Sequence, residues 1–228
     1  MKIATFRAAG ALLSMAALLA GCAGTPTPDW QLNAGSALQR MQQALLVGND
    51  RVATNEWVRA RAEVASTGRP ELVARAELLR CAAWVASLQF GPCAGFERLR
   101  QDAAAPELAY AAYLRGKLEP AQRGLLPPAQ QPLALAPAGE AAQLAALQAT
   151  ADPLSRLLAA ALWLQAGQAA PGVLALAVDT ASAQGWRRPL LAWLGAQQAR
   201  ARAAGEDAEA ARLGRRIDLV LQGIEPAR

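Results

Sequence analysis

Among the side chains able to do chemistry, the most telling is one that is missing: histidine does not occur in the 228 residues. Its absence removes the commonest acid and base near neutral pH, histidine-containing triads and every imidazole metal site. An enzyme built on this chain would rely on carboxylates, hydroxyls, arginines or tyrosines. Glu56 and Glu63 share a helix face, but Arg59, Arg61 and Arg75 are close enough to act as surface ion-pair partners. Glu206, Asp207 and Glu209 fall in the first turn of the last expected helix, where negative charge complements the helix dipole. No Gly-Lys-Ser or Gly-Lys-Thr phosphate loop occurs, and no cofactor is implied.

The cysteines are Cys22, Cys81 and Cys93. Cys81 and Cys93 lack the two-residue spacing of a redox pair, and two sulfurs without histidine make a weak metal site. If the helix holding Cys81 ran to Phe90, its rise of about 13 Å would keep the two apart. If it ends near Ala86 and residues 87–91 fold back, a disulfide comes within reach. The alternative is a pair of small buried hydrophobes.

Trp57, Trp84, Trp163 and Trp193 sit among apolar helix positions and read as core anchors. Trp30 and Trp186 lie beside a linker or a turn and are the candidates for exposed partner contact. Trp186 is followed by Arg187, Arg188 and Pro189, the densest basic and aromatic cluster after Cys22. Such a patch suits anionic headgroups, polysaccharide or an acidic partner. Equally, Trp186 packs at a hairpin end while the arginines face water.

The formal net charge is +5. Without Lys2 and Arg7, 21 basic groups remain against 18 acidic ones, a net of +3. The C-terminal arginines are interrupted by Glu206, Asp207, Glu209 and Asp218, so no nucleic-acid surface is expected.

Lys2 and Arg7 precede an apolar run from Ala8 to Ala20 that ends in Leu19-Ala20-Gly21-Cys22. This run has the length of an export signal and is short for a bilayer span. Small residues directly before a lone cysteine resemble the lipobox of bacterial lipoproteins. The resemblance implies cleavage before Cys22, acylation of that cysteine and a durable membrane tether. Ala23, in place of an aspartate, implies the periplasmic face of an outer membrane. Residues 1–21 are then a signal peptide and 22–33 an acylated start with a flexible Gly24-Thr25-Pro26-Thr27-Pro28 linker.

The elements expected to position these groups are all helical. Alanine and leucine dominate the apolar content, and unbranched side chains lose little rotamer freedom in a helix. One helical subdomain is expected over 34–118, with helices near Ala34–Val47, Asp50–Ser66, Pro70 onward, Ala94–Asp102 and Pro106–Leu118. The stripe Val52, Trp57, Ala60 and Val64 is expected to face inward in the second. Residues 119–138 carry Pro120, Pro127, Pro128, Pro132 and Pro137 and read as a connector or extended crossover. Helices resume over 139–228, broken at Asp152-Pro153, Gly167, Pro171-Gly172, Gly185 and Gly205.

Gly48-Asn49-Asp50 followed by Ala53 is echoed by Gly205-Glu206-Asp207 followed by Ala210. This hairpin rhythm resembles tetratricopeptide-type helical repeats, which implies a curved array with a concave binding surface over 34–118 and 151–222. The expected fold is therefore all-α, with antiparallel hairpins in an irregular solenoid of that type or a bundle. The expected role is a lipid-anchored envelope protein that binds or scaffolds an envelope protein or cell-wall partner. Two other readings are a peptidoglycan-active enzyme with a carboxylate in a cleft and a periplasmic spacer. A deep cleft holding a poorly solvated acid would favour the enzyme, and a broad concave surface the binder.

Overall fold

Capping chemistry and proline set where the helices begin. The computed structural model describes residues 26–223, and no strand occurs among them. Helix α1 spans Asp29–Val47 and α2 spans Asp50–Ala65. Between them Gly48 takes a left-handed φ of 85°, a geometry that favours residues without a Cβ, and Asn49 accepts the N–H of Val52 at 3.2 Å. Helices joined by so short a turn pack antiparallel. The inward stripe of α2 is Ala53, Trp57, Ala60 and Val64. Val52 is 36% exposed, a correction of one position in register.

Helix α3 spans Pro70–Ala86 and starts on proline, whose missing N–H would be unpaired there anyway. It is followed by α4 (Ala94–Glu97), a 3₁₀ turn at Arg100–Asp102 and α5 (Ala105–Leu114). The second half contains α6 (Glu140–Ala149), α7 (Pro153–Gln165), α8 (Pro171–Ala183), α9 (Arg187–Ala203) and α10 (Asp207–Gln222). Helices α7 to α10 form consecutive packed pairs. Helix α3 lies at the centre against α1, α2, α5 and α7, and α9 returns to pack on α1. The protein is an all-α helical bundle.

Three findings depart from the sequence reading. Helix α1 begins at Asp29, so Trp30 is helical and does not belong to a linker over 22–33. Residues 119–138 do not form an extended crossover: two 3₁₀ turns, Pro120–Leu125 and Gln131–Leu133, fold them back, and Leu126 and Leu133 are buried. The Trp163 indole N–H donates to the Leu133 carbonyl at 3.2 Å, which meets part of the backbone demand that proline creates. One core then runs from Met41 through Leu133 to Leu213, across both expected subdomains.

Helix α3 ends at Ala86, and Leu88 adopts a φ of 58° that reverses the chain. The Cα atoms of Cys81 and Cys93 consequently lie 5.9 Å apart, in a disulfide. The bond closes a loop of 12 residues in sequence separation, which by loop entropy contributes about 2–3 kcal/mol. Urea unfolding with and without reductant should differ by that amount, and a Cys81→Ser, Cys93→Ser variant should be insensitive to reductant. Equal midpoints for the wild-type protein in both conditions would contradict it.

Candidate functional site

The first candidate cluster, Trp186 with Arg187 and Arg188, is turned inward. Trp186 is 6% exposed, and its indole N–H donates to Gln43 Oε1 at 3.0 Å. Arg187 Nε donates to the carbonyl of Val47 at 3.1 Å, and Arg188 Nε to that of Leu45 at 2.7 Å. These carbonyls belong to the last turn of α1, where Leu45 receives only the capping Gly48 N–H at 3.1 Å and a cation complements the dipole. Arg188 also pairs with Asp50 and lies 4.6 Å over the Trp84 ring. The three residues therefore fasten α9 to the first hairpin. As an exposed partner contact Trp186, Arg187 and Arg188 are corrected: helix-end carbonyls and a neighbouring ring had the stronger claim on them.

Trp30 has a different setting. On α1, Trp30, Ala34, Leu38 and Gln42 follow one another at four-residue steps along one face. On α3, Leu72, Arg75 and Leu79 face the same space. Together they form a groove whose outer part, beside Trp30, holds about 430 Å³. Arg75 and Leu79 also line an inner part of about 600 Å³. From Trp30 to Gln42 the helix rises about 18 Å, so the groove is long enough for several residues of an extended chain.

The inner part is walled by α5, by residues 125–130 of the proline-rich segment and by the start of α7. Its polar groups form two hydrogen-bonded sets. Arg75 Nε and Nη2 both donate to Glu107 Oε1, at 2.9 and 2.7 Å. Gln130 Nε2 donates to Tyr110 Oη at 3.3 Å and to Ser155 Oγ at 3.4 Å. Ser155 Oγ–H and the Ser155 N–H both donate to Asp152 Oδ2, which thereby caps α7. Burial pushes the Tyr110 hydroxyl up to about 12, against the lowering effect of the Gln130 hydrogen bond and with a lesser contribution from Asp152. It therefore keeps its proton at any physiological pH.

None of Glu107, Tyr110, Gln130 or Ser155 was singled out by sequence pattern, and Asp152 only as a helix breaker. Glu107 occupies the first turn of α5, where an acid is unremarkable, and its partner Arg75 is 32 positions away. Gln130 sits inside the segment read as a connector. The one legible clue was Asp152-Pro153, an N-cap and first-turn proline.

Glu56, Glu63 and Glu77 are occupied elsewhere. Glu56 pairs with Arg40 at 3.0 Å and Arg59 at 3.6 Å, and Glu63 accepts from Asn33 at 3.4 Å. Arg61, expected near these two, reaches Glu77 instead at 3.7 Å. Desolvation raises the Glu77 carboxyl above the ordinary range, against the opposing pull of Arg80 and Arg61. Yet Glu77 lies against the backbone of Gly95 and lines neither part of the groove. Of the two buried acids, Glu77 therefore lies away from the groove, whereas Glu107, held by Arg75, lines its inner part. No group of three metal-ligating side chains occurs among the described residues, and no described helix is long and apolar enough to cross a membrane. Cys22 lies outside the described residues. Comparison with protein-family models, curated proteins and solved structures finds no match.

Proposed function

We propose that the chain is a lipid-anchored envelope protein whose helical bundle binds a partner in an envelope complex through the groove between α1 and α3. The observation that carries this reading is the groove itself, bordered by Trp30 and Arg75 and sharing Arg75 and Leu79 with a mainly apolar inner part. A half-exposed tryptophan and an arginine are the side chains that most often anchor protein interfaces. The export-type segment ending at Cys22 supplies the address and the tether. The Cys81–Cys93 disulfide suits the oxidising side of the inner membrane. The hairpins are taken as an irregular relative of tetratricopeptide-type arrays, with their concave side turned to the partner.

A peptidoglycan-cleaving role is less well supported. General acid catalysis needs a carboxyl free to give a proton to a substrate in the cleft. Glu107 Oε1 is committed to a guanidinium, and Asp152 to a serine and a helix end.

A photo-crosslinking residue placed at Leu72 should yield a discrete adduct in intact membranes, whereas one at Val58, 62% exposed on α2, should not. In a Cys22→Ser background the protein should lose lipid label, leave the membrane fraction and lose the adduct. Equal labelling from Leu72 and Val58, or unchanged membrane attachment of the Cys22→Ser form, would overturn the reading.

A further inference from the structure

Two oxygen atoms beside the inner part of the groove have no donor. Glu107 Oε2 and Gln130 Oε1 are sealed from water and unpartnered, in residues only 3% and 7% exposed. The orientation of the Gln130 amide is fixed by its neighbours. Ser155 Oγ gives its proton to Asp152, so it can only accept, and the amide nitrogen must be the atom that faces it. The amide oxygen is thereby left without a donor. Both unfilled positions are acceptors, and a polar atom left unpaired in the interior is costly.

The lining adds two constraints. Arg75 and Glu107 offset each other in formal charge, Asp152 is left over, and Gln42, Tyr110, Gln130 and Ser155 are neutral, so the chamber carries a net negative formal charge. Leu78, Leu79, Leu125, Pro127 and Leu154 make the rest of the wall apolar. A few polar side chains in the wall of a mainly apolar chamber of about 600 Å³ is the usual make-up of a specific ligand site.

Resting on the reading of the groove as a binding surface, we propose that its inner chamber receives a primary ammonium group on a short apolar stem. The N–H groups donate to Glu107 Oε2 and Gln130 Oε1, and the methylene stem lies along the leucines. A carboxylate would meet acceptors and be repelled, and a purely alkyl ligand would leave both oxygens unpaired. A lysine side chain of a partner and a free alkylamine share this chemistry. Both oxygens are sealed from water, so a wall side chain must turn for the ligand to reach them.

Calorimetric titration of the purified protein with n-hexylamine, Nα-acetyl-lysine amide, n-hexanol and hexanoate tests this. At least one amine should bind ten-fold or more tightly than hexanol, and hexanoate should not bind. Binding of the lysine amide alone identifies a peptide source, and binding of hexylamine alone a free amine. Glu107→Gln should weaken amine binding at least ten-fold. Gln130→Leu, which keeps the Arg75 ion pair, should weaken it several-fold and serves if Glu107→Gln does not fold. Amine binding no better than hexanol, no amine binding at millimolar concentration, or full affinity in a folded variant would each overturn the proposal. Loss of the Leu72 adduct with amine binding intact would count against the partner-binding reading alone. An intact adduct without amine binding would count against this inference alone.

Discussion

Trp193→Ala is expected to cost about 4–5 kcal/mol of stability, the largest effect of any single replacement considered. Its side chain is fully buried at the junction of α9 with the centre of the bundle. Truncating a buried tryptophan removes both transfer free energy and packing, about 3–5 kcal/mol where the cavity cannot collapse. The indole N–H also donates to the Ala86 carbonyl at 3.1 Å. Ala86 ends α3, so that carbonyl has no intrahelical donor, and leaving it dry adds about 1 kcal/mol or more. Trp193→Phe separates the two contributions, since it keeps most of the apolar volume and should cost about 1–3 kcal/mol. Urea midpoints at constant slope provide the measurement. A loss below about 1 kcal/mol in Trp193→Ala would mean that α9 does not depend on this anchor.

The second large effect concerns Arg75 and Glu107. Arg75→Ala leaves a carboxylate that is 3% exposed with neither oxygen paired. Removing one partner of a fully buried pair costs about 3–5 kcal/mol. The Arg75 side chain is 61% exposed and water can follow it in, so about 1–3 kcal/mol is expected here. The pairing itself contributes much less than that. Arg75→Met with Glu107→Leu should therefore return to within about 1 kcal/mol of the wild type or exceed it, because neither charge then has to be desolvated. A double-mutant cycle with a coupling energy above about 1 kcal/mol would confirm the asymmetry. Additive single effects would show that the two groups act independently.

The longer helices were legible in the sequence, because glycine and proline punctuation and apolar periodicity are local properties, whereas the helix expected over Ala94–Asp102 is one turn at Ala94–Glu97 and a 3₁₀ turn at Arg100–Asp102. Pro171–Ala183 begins and ends where the breakers place it. The turn after Ala86 was legible only conditionally, since the chain reversal at Leu88 comes from a residue type that ordinarily avoids positive φ. The 3₁₀ turns of the proline-rich segment were hidden for a comparable reason. Proline forbids long helices but permits 3₁₀ turns, and whether such turns pack is decided by Trp163 and by the space beside α5 and α7. Trp186, Arg187 and Arg188 illustrate the general limit: a basic and aromatic cluster looks the same in one dimension whether it meets a partner or the end of another helix. The groove polar set was invisible because Arg75, Glu107, Gln130 and Ser155 are brought together only by tertiary packing.

The fastening of α9 to α1 joins Trp186 to Gln43 and Arg188 to Leu45, pairs separated by 143 positions. A chain emerging from the ribosome in order exposes the first hairpin long before its counterpart exists, so the bundle cannot close until nearly the whole polypeptide has appeared. Under the export proposed above, late closure would be an advantage, because the leading portion lacks the surface that completes the fold. The same arrangement makes truncation unforgiving: a chain cut before residue 186 loses the clasp and leaves the last carbonyls of α1 without their arginine donors.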